Sequence, residues 1–155
     1  MTPLDPDKVD TIVIHITVSD FGDVALVTKW HKDRSWETIG YHYLITNCFP
    51  TVYRWETKKP DLESDGKVHL GRPTVFCGAH VEGHNWHTAG VALVGKKGAY
   101  SAKQIEAARD LCLELKKKFH KVTQIVGHFE LFDGKTCPDL DMDFFRKLVA
   151  DAEEV

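Results

Sequence analysis

Two histidines close runs of strand-like residues: His15 follows Thr11-Ile12-Val13-Ile14, and His128 follows Gln124-Ile125-Val126-Gly127. Lys135 and Cys137 come soon after the second. Imidazole and thiolate are both good donors to zinc, and a hydrolytic zinc needs three protein ligands plus an open position for water. Strand ends would hold two donors rigidly while a short loop brings the third. The spacing matches no short zinc signature. It leaves a second reading open, in which the histidines are satisfied by backbone hydrogen bonds and Cys137 is a small buried thiol.

The elements that must position these groups can be traced along the chain. Thr11 to His15 is β-branched and apolar, the pattern of a buried strand. Asp23 to Lys32 carries Val24, Val27 and Trp30 or His31 at helical spacing, with Asp23 as N-cap. Ile39 to Thr46 reads as a second strand bearing Tyr41 and His42. Between Asn47 and Gly66, Pro50, Pro60 and two polar turn clusters predict a long hairpin or surface excursion, with a short strand at Thr51 to Trp55. Lys67 to Leu70 and Gly90 to Val94 are further strands, the latter apolar throughout and therefore central. Ser101 and Gln104 form a capping-box pattern for a helix running through Ile105, Ala108, Cys112, Leu115 and Phe119. Lys116, Lys117 and Lys118 in its last turn suit the helix dipole, a polybasic patch being the alternative. Val122 to Gly127 delivers His128, and Asp141 to Ala152 is a closing amphipathic helix. The expected class is α/β, with a mixed central β-sheet flanked by helices, in a single domain over 1–155 whose core runs from about 10 to 150.

Composition bounds the function. A chain of 155 residues, 43% hydrophobic with a net charge of -3, is long enough for one core and has no basic surplus for nucleic acid. No apolar run approaches the roughly 20 residues of a membrane span. Met1 to Asp10 has neither the basic start nor the apolar stretch of a secretory signal, so export by the general route is not expected. The cysteines at 48, 77, 112 and 137 form no close pairs and read as reduced thiols. Nine histidines, several of them crowded at His69, His80, His84 and His87, make a metal site worth seeking.

Six segments occur in a telling order: Ile14-His15-Ile16-Thr17, Trp30-His31-Lys32, Gly40-Tyr41-His42-Tyr43-Leu44-Ile45, Gly78-Ala79-His80 through Asn85, Ala89 to Gly95, and Gly127-His128 through Lys135-Thr136-Cys137-Pro138. Together they resemble the N-acetylmuramoyl-L-alanine amidase family, which includes the single-domain amidase lysozymes of short-tailed phages and the peptidoglycan recognition proteins. The resemblance implies one zinc in a surface groove, held by His15, His128 and Cys137. It places Tyr41 and Lys135 among the catalytic groups, and His42, His80, Asn85 and Trp86 as lining or supporting the groove. A turn role for Asn85 is the equal alternative.

The implied reaction is hydrolysis of the amide between N-acetylmuramic acid and L-alanine of the stem peptide, with peptidoglycan as partner. In many relatives the third ligand is aspartate, and cysteine before proline is similar to the phage branch. Ile16 and Phe129 depart from the pattern, the His128–Cys137 spacing is one residue longer than in the close phage pattern, and the segment 47–64 exceeds the usual hairpin. The expected setting is a monomeric endolysin that accumulates in the host cytoplasm and reaches the periplasmic wall with a holin-type partner. The rival readings are a non-hydrolytic peptidoglycan-binding protein of the same fold and a regulator of a phage RNA polymerase.

Overall fold

The computed structural model describes residues 1–154. Strand β1 (Thr11–Ile16) is buried throughout because it is paired on both sides. The other strands are β2 (Tyr43–Ile45), β3 (Val68–Leu70), β4 (Thr88–Leu93) and β5 (Gln124–Gly127), in the sheet order β3-β2-β4-β1-β5. β1 runs parallel to both β4 and β5, β2 is parallel to β4, and β3 closes the far edge antiparallel to β2. The sheet is mixed, as expected.

Among the described residues four α-helices accompany it: α1 (Val24–Asp33), α2 (Val52–Glu56), α3 (Ala102–Lys118) and α4 (Met142–Glu153). Successive strand residues point to opposite faces. Ile12, Ile14 and Ile16, with Val91 and Leu93, therefore share one core with Ala108, Leu111 and Leu115 of α3 and Phe145 of α4. Leu44 and Ala92 face the other way and pack with Val27 of α1. His15 belongs to this second face.

The helix starts follow side-chain chemistry. Asp23 accepts from the Leu26 N–H, Asp141 from the Phe144 N–H, and Ser101 with Gln104 forms both halves of a capping box. Gln104 does more. Fully buried, its amide donates to the carbonyls of Ile45 and Val94, so it ties the start of α3 to the ends of β2 and β4. Lys116 pairs with Glu153 of α4, and Lys118 lies over the Phe119 ring, so the basic last turn of α3 is partly engaged in the fold.

Two expectations need correction. Thr51 to Trp55 is not a strand: Val52–Glu56 is helical, with the Thr51 hydroxyl accepting from the Arg54 N–H and Trp55 packed edge-on against Phe49. The strand expected over 39–46 is regular only at Tyr43–Ile45. Before it, the carbonyls of Gly40, Tyr41 and His42 are drawn to the N–H groups of Ala79, Arg72 and Gly71. β2 and β3 do form a hairpin, with α2 lying in the long connection between them.

Candidate metal centre

Three donors meet at the end of β1. His15 lies opposite Ala92 of β4 in the parallel register, facing the α1 side of the sheet. His128 begins a one-turn helix directly after β5. Glycine precedes it because a Cβ at Gly127 would stand 2.7 Å from the Phe129 ring and 2.8 Å from Pro138. Cys137 returns to the same place: its carbonyl accepts from the Phe129 N–H at 2.9 Å, and its Sγ accepts from the Ile16 N–H at 3.2 Å. The donor atoms of His15, His128 and Cys137 all lie within 4.8 Å of one another.

This set fits a zinc ion. His15 Nδ1 is 3.9 Å from Cys137 Sγ, against edges of about 3.3–3.6 Å in a tetrahedral zinc site with these donor types. Two imidazoles and one thiolate leave a fourth position open, the pattern of a catalytic rather than a structural site. Burial, with His128 and His31 nearby, holds His15 well below the ordinary histidine range; burial and Lys135 lower His128. Both rings are thus neutral donors near pH 7. Burial pushes the Cys137 thiol up to about 11, against the opposing pull of the Ile16 N–H and Lys135. A coordinated thiol is deprotonated outright, so metal binding here would be coupled to loss of that proton.

The donors open on a cleft of about 1140 Å³. Tyr41 lines it, its ring 5.1 Å from that of His15. Burial raises the Tyr41 phenol above its ordinary range, Cys137 adding to the effect and Arg34 opposing it, so the group stays protonated and can donate. Lys135 lines the cleft from the loop, with Nζ 6.0 Å from the centre of the Phe132 ring.

The groups expected to line or support the groove divide. His80 and Asn85 reach the cleft. Asn85 also accepts from the N–H groups of His80 and Val81, each at 3.0 Å, so it holds the turn that carries His80. His42 is sealed beneath, Nδ1 accepting from the Gly90 N–H and Nε2 donating to the Phe76 carbonyl, which makes it a support. Trp86 is not among the residues that line the cleft: it is 56% exposed, and its ring lies tilted against that of His87. Sequence reasoning missed the opposite wall, formed by Trp30, His31 and Arg34 at the end of α1 and by Trp36. The signal was present in part, since Trp30 and Arg34 are one helical turn apart.

Three convergent donors that could hold a metal ion, set in a cleft on a mixed sheet, are the arrangement a hydrolase would use. The N-acetylmuramoyl-L-alanine amidase family matches residues 5–139, and the chain belongs to that family. It is 28% identical to the endolysin of Escherichia phage T7 over 146 residues, covering 88% of this chain and 84% of the relative. With the endolysin of Klebsiella phage KP32 it shares 29% over 126 residues, 77% of this chain and 71% of the relative. Its fold is similar to N-acetylmuramoyl-L-alanine amidase LysC from Clostridium intestinale URNW, with a TM-score of 0.77 at 24% identity, covering 96% of this chain and 91% of that one. The bumblebee peptidoglycan recognition protein PGRP-SA matches with a TM-score of 0.71 at 22% identity, over 93% and 84% of the two chains. The protein is a peptidoglycan amidase.

Proposed function

We propose that the protein cleaves the amide between the lactyl group of N-acetylmuramic acid and L-alanine of the stem peptide, using one zinc ion held by His15, His128 and Cys137, and that it serves as a monomeric endolysin. The observation that carries this reading is the convergence of two imidazoles and a thiol within 4.8 Å in a cleft that also presents a phenol and an ammonium group. What zinc supplies when bound is Lewis acidity toward a carbonyl and a water acidified to a pKa of about 7.

The chain's own groups do the rest. Lys135 offers its ammonium to the oxygen of the scissile carbonyl as negative charge develops there, the role in which a placed charge is most effective. Tyr41, held as a protonated phenol, donates a hydrogen bond at the reacting centre, and as it gives its proton to the departing amine it takes one from the attacking water, so the phenol is restored. Trp30 and Trp36 on the α1 side give the sugar ring apolar faces to lie against.

The endolysin role is favoured by the phage endolysins among the relatives. In this reading the enzyme accumulates in the host cytoplasm and meets periplasmic peptidoglycan when a holin-type protein opens the membrane. Zinc content and stem-peptide release from purified sacculi, measured together, test the chemistry. Wild type is expected to carry about one zinc and release peptide, and Cys137→Ala to do neither; full retention of both by the variant removes the ligand assignment. Wild-type protein that binds sacculi yet releases no peptide would instead be a recognition protein. Expressed inside a Gram-negative cell, it should lyse the culture only after the membrane is permeabilised.

A further inference from the structure

Behind His15 runs a chain of hydrogen bonds, two of them buried and the last part-buried. His15 Nε2 lies 2.8 Å from His80 Nδ1, His80 Nε2 lies 3.1 Å from Thr88 Oγ1, and Thr88 Oγ1 lies 2.9 Å from the carbonyl oxygen of His84. The last contact gives the chain a direction. A carbonyl can only accept, so the Thr88 hydroxyl must donate to it, and two oxygens at that distance would otherwise repel. The lone pair of Thr88 then receives the Nε2–H of His80. His80 Nδ1 is left bare and receives the Nε2–H of His15. His15 Nδ1 is therefore the free lone pair, and it is the atom facing Cys137 Sγ at 3.9 Å.

The fold makes room for this chain. A Cβ at Gly90 would come within 2.7 Å of the His80 ring, and one at Gly78 within 2.5 Å. Two glycines thus form the slot in which the ring is seated. The Gly90 N–H is itself pinned by His42 Nδ1, and Asn85 holds the His80 backbone from below. Thr88, His80 and His15 are all buried.

We infer that His80 and Thr88 are positioning residues that fix His15 in its Nε2–H tautomer and aim its Nδ1 at the metal position. A partner behind a ligating histidine of this kind typically changes metal affinity by about 10- to 100-fold when removed. The inference rests on the metal reading of the site, but its first test does not.

Nitrogen NMR of the histidine rings in metal-free protein should show His15 as the Nε2–H tautomer. In Thr88→Val, which keeps the side-chain shape and removes the relay, His15 and His80 should become tautomer mixtures. Zinc affinity, measured by chelator competition, should fall about 10- to 100-fold in Thr88→Val and return toward wild type in Thr88→Ser. His80→Gln, whose amide can accept from His15 and donate to Thr88, should bind zinc more tightly than His80→Leu. Cobalt substituted for zinc should report a distorted ligand field in Thr88→Val. An unchanged His15 tautomer in a folded Thr88→Val protein overturns the inference, as does zinc affinity within twofold of wild type in that variant. If wild type binds no zinc while its His15 tautomer is as described, the metal reading fails and the relay stands.

Discussion

Lys135 and Cys137 sit two residues apart on one loop, yet their loss should have different signatures. Lys135 lines the cleft without being a ligand candidate. Lys135→Ala should keep its zinc and lower kcat by about 10²–10³, the usual effect of removing one stabiliser of a developing oxyanion. Steady-state kinetics on soluble muropeptide, alongside metal content, check this; a raised KM with kcat intact would make Lys135 a binding group. Tyr41→Phe removes only the hydroxyl, and should likewise keep the metal while slowing turnover. At this scale the sequence was informative where a residue ended a regular run, as at His15 and His128. It brought His80 to the groove only through the family resemblance, and it gave no sign of the bond to His15, which is 65 residues away and follows no local period. For Trp86 the local pattern gave no direction: the short helical turn Asn85–His87 sets its ring against that of His87, apart from the residues that line the cleft.

Gln104 shows how an element can depend on one side chain. Its amide satisfies the ends of two strands while its oxygen accepts from the Ser101 N–H at 2.9 Å. Gln104→Leu keeps the bulk but leaves the Val94 carbonyl without that donor, and should cost about 2–3 kcal/mol in urea denaturation. Ser101→Ala, which removes only the cap acceptor, should cost about 1 kcal/mol. Equal costs would mean that Gln104 acts only within the capping box. The capping box itself could be read from Ser101 and Gln104, because its chemistry is local; the reach of Gln104 to Ile45 and Val94 could not. α2 was mistaken for a strand because Val52, Tyr53 and Trp55 suit a β propensity, and in so short a run periodicity does not separate strand from helix. The Thr51 cap and the contact of Trp55 with Phe49 decide for the helix.

For the whole molecule, four buried histidines set the response to acid. Burial with Arg34 and Arg72 nearby holds His31 down to about 4, and burial also lowers His15, His42 and His80. Unfolded, each takes a proton near 6.5. Between 6.5 and the folded values the unfolded chain binds more protons, so stability is fully present above about 6.5 and falls as pH drops toward 4. Thermal midpoints of chelator-treated protein should be level from pH 8 to 7 and decline below 6.5. His31→Gln, which can still accept from the Gly40 N–H, should flatten part of that decline; a midpoint unchanged from pH 7 to 5 would contradict the account. The sheet order carries one more consequence, for synthesis. β1 is made early but is flanked by β4 and β5, and His15 is 122 residues from Cys137. A ribosome that stalls before β5 leaves a chain with one of the three donors and no partner strand on one side of β1. Such fragments should be unable to cut the wall, so interrupted translation would not release a lytic activity ahead of the finished protein.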